Sequence, residues 1–232
     1  MARPIPDGRF RELVEAATAV FLEQGYRRAQ MADVASRAGV AKGTVYLYFE
    51  SKDALFDAVL RHADAPDQQA TPETLPVPTP PLGATLEMIQ KRVAEEAALP
   101  TLTGALGRRR ITDIRVEVEE VVRELYGLLK GYRTSIKLLD RCSPEHPELA
   151  AVWYGTGRQG ALDLLQRYLE ERIQRRHLPA VKDAGVTARL VLETVVLWAV
   201  HRHWDPRPQP MDEQVAEDAL VELIRRGLTE AG

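Results

Sequence analysis

The chain has 232 residues, room for one or two domains at about 100–200 residues each, and its 45% apolar and 28% charged residues are globular rather than disordered proportions. Its 31 basic and 34 acidic side chains leave a formal net charge of −3, which excludes a protein that grips nucleic acid through bulk positive charge. A single cysteine, Cys142, excludes an intramolecular disulfide framework, and no stretch offers the ~18–20 uninterrupted apolar residues of a membrane span, so a soluble, cytoplasmic protein is expected.

From the N-terminus the hydrophobic period is helical. Phe10, Leu13, Val14, Ala17, Val20 and Phe21 form one apolar stripe, with Asp7 placed as N-cap and Gly25 as the stop. Met31, Val34, Ala35 and Ala38 repeat the pattern over a shorter piece closed by Gly39. Residues 30–49, QMADVASRAGVAKGTVYLYF, then read as two short helices about a tight turn, a helix-turn-helix. Val45 and Phe49, four apart, are expected to face inward, leaving Lys42, Gly43, Thr44, Tyr46, Leu47 and Tyr48 as outward surface. Exposed tyrosine and leucine suit contact with sugars, methyls and phosphates. Leu55, Phe56, Val59 and Leu60 mark another helix after the Ser51 cap.

Pro66 to Gly83 holds six of the 15 prolines and cannot continue a helix. It divides the chain into residues 1–65, a linker over 66–83, and residues 84–232, with a proline-motif ligand as the alternative use of the segment. Beyond it, Leu86, Ile89 and Val93 begin a helix that should end near Pro100. Val118 through Leu139 describe one long helix, and another runs from about Pro147 to Arg176. Residues 188–200, ARLVLETVVLWAV, are apolar nearly all round and require burial on more than one side. The last helix, near Asp212 to Leu228, is amphipathic. Such a pair suits a four-helix interface between two copies, the alternative being that both complete the intrachain core. No useful strand pattern appears, so the fold class is all-α.

Residues 13–60 carry A-x-x-x-F-x-x-x-G-Y at Ala17 to Tyr26, D-V-A-x-x-A-G-V at Asp33 to Val40, K-G-T-V-Y-x-Y-F at Lys42 to Phe49 and S-K-D-x-L-F at Ser51 to Phe56. This run resembles the N-terminal domain of the tetracycline-repressor (TetR) family. The resemblance implies a three-helix DNA-binding domain followed by a helical effector-binding and dimerisation domain. It also implies a homodimeric regulator, usually a repressor, that leaves its double-stranded operator when a small molecule binds. Lys42, Gly43, Thr44, Tyr46 and Tyr48 match family positions that contact DNA. Lys52 matches a lysine that reaches phosphate, while Thr44 and Leu47 sit where base edges or thymine methyls would be read. Gln30 replaces a hydroxyl residue before the second helix, and Ala41 stands where serine is frequent. Residues 1–65 are neutral, yet from Ala35 to Phe49 there is no acid, only Arg37 and Lys42; Arg3, Arg9 and Arg11 add positive charge upstream.

Other patterns point less far. Gly155 to Gly160 spells G-x-G-x-x-G, but a dinucleotide site needs a preceding strand. Cys142 and His146 are separated by the helix-breaking Pro144, and no metal or other cofactor is expected. For the effector, large residues with a polar tip are the candidates: Tyr126, Tyr132, Trp153, Tyr154, Arg158 and Trp198. Glu193 is the one acid deep in an apolar stretch, which favours an apolar or aromatic effector over a cation. No catalytic set stands out, and the chain is read as a non-enzyme. Alternatives left open are a regulator of this fold controlled by a protein partner, an activator, and a nucleotide-binding helical protein using residues 155–160.

Overall fold

The computed structural model describes residues 8–64, 72–96 and 98–230. Arg3, Asp7 and residues 66–71 of the proline-rich stretch lie outside them. Among the described residues the elements are helices, and β pairing is confined to one bridge between Phe49 and Val77. The all-α expectation holds.

Four helices open the chain: α1 (Arg9–Gln24), α2 (Met31–Arg37), α3 (Lys42–Tyr46) and α4 (Lys52–His62). The predicted stripe of α1 is buried from Phe10 to Phe21, and α1 packs on α2 and α4, whose Val34, Ala35, Leu55, Phe56 and Val59 are buried too. Each such Leu, Val or Phe contributes roughly 1.5–3 kcal/mol through burial. Phe10 stacks on Phe49 at 5.3 Å, and Phe21 meets Phe56 edge-on at 5.1 Å. Gly39 supplies the positive φ of 65° that lets α2 turn into α3.

The chain continues as α5 (Ala84–Glu96), α6 (Pro100–Gly107), α7 (Ile114–Gly131), α8 (Arg133–Cys142), α9 (Pro147–Ala150), a π-helical segment (Ala151–Arg158), α10 (Gln159–Gln174), α11 (Ala184–Ala199) and α12 (Glu213–Thr229). Three expectations are corrected. Pro100 starts a helix instead of only ending one, because proline suits the first turn. Its free amides, Thr101 and Leu102 N–H, are taken by the Glu124 carboxylate at 2.7 and 2.9 Å. The long helix over 118–139 is two helices, broken where Tyr132 leaves helical geometry at φ −114°, ψ 22°. There the Asp64 carboxylate accepts Thr134 and Ser135 N–H at 2.7 and 3.0 Å and so begins α8. The stretch from Pro147 is interrupted by the π-helical segment, which takes up Gly155 and Gly157.

Two compact units result. The first joins the described part of Met1–Lys91 to Thr134–Ala151. In it the Arg27 N–H donates to Glu145 Oε2 at 2.5 Å, and the His146 ring lies 4.5 Å from Tyr26 and 5.7 Å from Phe56. The second joins Arg92–Arg133 to Val152–Gly232. There α7 packs on α11 and α12, and α10 packs on α11 and α6. Its centre holds a network that the sequence did not announce. Arg172, fully buried, donates through Nε to Glu117 Oε1 at 2.7 Å and through Nη2 to the Ala105 carbonyl at 2.5 Å, while Tyr168 donates to the same Glu117 oxygen at 3.2 Å.

Candidate nucleic-acid interface

The recognition segment is built from α2, its turn and α3. Gln30 caps α2, its N–H donating to Asp33 Oδ2 at 2.9 Å while the residue itself stands exposed. At the turn, Val40 N–H donates to the Ala35 carbonyl at 2.9 Å, and the small Ala35 lets the second helix lie close. Val45 and Phe49 are buried as expected. Ala41, Lys42 and Gly43 are exposed, Thr44 is half-buried, and Tyr46 and Leu47 are 43% and 66% exposed. Lys42 Nζ lies 5.9 Å from the Tyr46 ring centroid, which leaves its ammonium at the surface.

Two expected members of the surface are placed differently. Tyr48 is only 3% exposed. The helix ends at Tyr46, so the helical phase that aims Tyr48 outward no longer applies, and burial raises its phenol pKa. Lys52 is turned inward. Its Nζ donates to the carbonyls of Tyr26 at 3.0 Å and Ala29 at 3.1 Å, and lies 4.3 Å from the Tyr26 ring centroid. Tyr26 in turn donates its hydroxyl to Asp53, so the turn between α1 and α2 is tied to the start of α4.

The charges around the motif are mixed. Arg37 is paired with Glu23 at 2.7 Å, while Arg27 and Arg28 stand exposed before α2. The nearest acid after the recognition helix, Glu50, is engaged by the Thr79 N–H, which holds its carboxyl below the usual range.

The effector candidates have different partners. Tyr126 is buried and donates to Glu213 Oε1 at 2.9 Å. Trp198 faces the Arg202 guanidinium at 6.0 Å, and Arg202 also binds Glu213. Tyr132 stands 5.1 Å from the Arg92 guanidinium. Trp153 covers Gly157, whose added Cβ would lie 3.4 Å from the indole. Tyr154 faces solvent. Arg158 is paired with Glu193, so that acid is neither deeply buried nor open to a cation. Sequence reading missed Glu213, which gathers Tyr126, Arg133, Arg202 and His203 from three places in the chain. The G-x-G-x-x-G of 155–160 is preceded by helix, not strand, and the dinucleotide reading falls with it.

Apolar side chains remain exposed on the last two helices: Val186, Leu190 and Leu197 on α11, and Val215 and Leu223 on α12. Helix α11 packs on α7, α10 and α12 and still leaves this row uncovered in a single chain. No helix among the described residues is long and apolar enough to cross a membrane.

A three-helix core that presents the tyrosine and leucine of a short second helix defines a helix-turn-helix DNA-binding regulator. Residues 13–59 match the family described as bacterial regulatory proteins, tetR family. Over 52 residues it is 42% identical to the HTH-type transcriptional regulator YvdT of Bacillus subtilis, a match spanning 22% of this chain and 27% of that protein. It is 24% identical over 229 residues to the fatty acid metabolism regulator protein of Bacillus subtilis, covering 95% of each. The fold also resembles the ketosteroid transcriptional regulator KstR2 of Mycobacterium tuberculosis, with a TM-score of 0.56, 16% identity and 98% of both chains covered.

Proposed function

We propose that this chain is a homodimeric transcriptional repressor of the cytoplasm, not an enzyme, that releases its operator on binding an apolar effector. The observation that carries the reading is the exposure of Tyr46 and Leu47 on the second helix of the motif, in a segment free of acids from Ala35 to Phe49. In this reading Gln30 and Lys42 meet phosphate, Gly43 lets the backbone approach, and Thr44 and Leu47 meet base edges and thymine methyls. Tyr48 and Lys52 hold the motif in shape from inside. Residues 1–65 carry DNA reading, and residues 84–232 carry effector binding and pairing.

The exposed faces of α11 and α12 pair two copies, which sets two recognition helices about one helical turn apart on a pseudo-palindrome. Effector contact falls to the half-buried rings of Tyr132, Trp153 and Trp198, since Glu213 and Glu193 already occupy Tyr126 and Arg158. An acyl-bearing molecule is our first choice, in keeping with the role named for the full-length Bacillus relative. The test begins with selection of a duplex from a random double-stranded library by the purified chain. Fluorescence anisotropy should then show release of that duplex by a long-chain acyl-CoA. Selecting no duplex would sink the reading, and release by none of a panel of acyl, steroid and aromatic compounds would remove its effector half.

A further inference from the structure

The proline-rich stretch is the sequence motif that DNA reading leaves unused. Its composition predicts a spacer, yet its described part lies on the turn that follows α3. Val77 N–H donates to the Tyr48 carbonyl at 2.8 Å, and Glu50 N–H donates to the Val77 carbonyl at 3.0 Å. Thr79 N–H donates to Glu50 Oε2 at 2.7 Å, and Thr79 Oγ1 donates to Ser51 Oγ at 2.8 Å. That Ser51 oxygen accepts the Ala54 N–H at 3.1 Å and opens α4. Just past the stretch, Thr85 donates its hydroxyl to Asp57 of α4 at 2.7 Å. All of these residues belong to the first compact unit.

The sequence Pro76-Val77-Pro78-Thr79-Pro80-Pro81 carries backbone N–H groups only at Val77 and Thr79, because proline has none. Both go to the recognition turn, one to Tyr48 and one to Glu50. The surrounding prolines fix φ and so reduce the entropy lost when the segment is ordered. The element it touches needs outside support. With five residues and no side-chain cap, α3 is far below the ~12–15 residues at which a helix begins to hold itself. Val45 anchors its inner face, and buried Phe49 and the stretch anchor the turn that follows it.

We propose that residues 75–79 are a positioning strap for DNA recognition. Val77 and Thr79 fix the Tyr48–Ser51 turn and thereby set the angle at which Tyr46 and Leu47 meet the duplex. The strap carries no cation, so it adds no phosphate contact and acts through α3. This inference rests on the DNA-binding reading above, and the experiment separates the two. The full chain, Val77→Pro and Leu82→Ser are titrated onto the duplex selected by the unaltered chain and onto copies with single base-pair changes, across a salt series.

Val77→Pro deletes the one N–H that binds Tyr48. Affinity for the selected duplex should fall roughly fivefold to tenfold, the equivalent of one lost hydrogen bond. Preference over the base-changed copies should narrow, because a tilted helix reads bases less well, while the salt slope stays as in the unaltered chain. Leu82→Ser, at the fully exposed end of the same stretch, should bind as the unaltered chain does. Unchanged affinity in Val77→Pro overturns the strap, and so does a loss with full base preference or with a shallower salt slope. Should Val77→Pro fail to melt cooperatively, Thr79→Val, which keeps every backbone donor, decides on the same criteria. If the unaltered chain selects no duplex, the DNA reading itself has failed.

Discussion

Lys52 donates its ammonium to the backbone carbonyl of Tyr26 at 3.0 Å and lies 4.3 Å from the centroid of the same residue's ring. One side chain thus satisfies the turn between α1 and α2 and takes up the charge that a phosphate would otherwise meet. Lys52→Ala is expected to lower stability by about 2 kcal/mol, the scale of a charged hydrogen bond with a cation–π contact. Its log–log salt slope for the selected duplex should match the unaltered chain, whereas Lys42→Ala should lose about one unit. Urea unfolding and anisotropy at several salt concentrations check the two halves, and a lost unit in Lys52→Ala would return it to the phosphate contacts.

Arg172 and Glu117 are both sealed from solvent. Glu117→Leu strands a guanidinium in the core and should cost about 3–5 kcal/mol, while the double variant Glu117→Leu/Arg172→Met should cost much less than the two single changes added together. A double-mutant cycle by urea unfolding measures this, and strict additivity would contradict it.

The exposed rows of α11 and α12 offer a clean dissection of pairing from folding. Leu190→Glu with Leu223→Glu should leave the monomer fold intact, because neither side chain is buried in a single chain. Sedimentation should then show the monomer mass, and affinity for a two-half-site duplex should collapse toward that for one half-site. A dimer surviving both charges would place the interface elsewhere.

Acid should weaken the corner where α11 and α12 meet. Burial, with the charges of Arg133 and Arg202, lowers the His203 pKa. Burial alone would raise Glu213, but Tyr126, Arg133 and Arg202 outweigh it and hold its carboxyl low. In both cases the unfolded chain binds protons first, so stability is present above the unfolded pKa and is lost as pH falls. The loss should start near the ordinary histidine value of about 6.5 and deepen below the ordinary glutamate value of about 4.3. Thermal melting from pH 8 to 4 should show a falling midpoint, with a smaller drop below pH 5 in Glu213→Gln. An equal drop in both chains would remove Glu213 from the account.

Cys142 is buried, and burial pushes its thiol up to about 11. At pH 8 the reactive thiolate is therefore scarce as well as shielded. Iodoacetamide should label the thiol only when denaturant is present, and rapid labelling of the folded chain would contradict this placement.

Where the local sequence decided the outcome, it was legible. The stripe from Phe10 to Phe21, the Gly39 turn and the inward pair Val45 and Phe49 lie where their spacing puts them, since each depends on neighbours within a few residues. The misses share one physical cause. Helix α8 starts on Asp64, some 70 residues upstream, so its start has no local signal, and the proline that opens α6 reads equally well as a stop until the α7 carboxylate that caps it is seen. The Tyr132 break costs a single residue and leaves the apolar phase of Leu125, Leu129, Ile136 and Leu139 nearly continuous. Tyr48 was misplaced because a five-residue helix ends before its period can be extrapolated. Lys52 kept the family spacing, but spacing says nothing about which carbonyls lie within reach of an ammonium.

His146 on Tyr26 and Phe56, and Glu145 on the Arg27 amide, close the back of the helix-turn-helix with residues from far along the chain. A fragment cut after α4 would bare those rings to water and forfeit that amide's acceptor. For anyone grafting this DNA-reading head onto another sensor, the transplantable piece is therefore discontinuous: it needs the strap and the stretch around Cys142 as well as the first four helices.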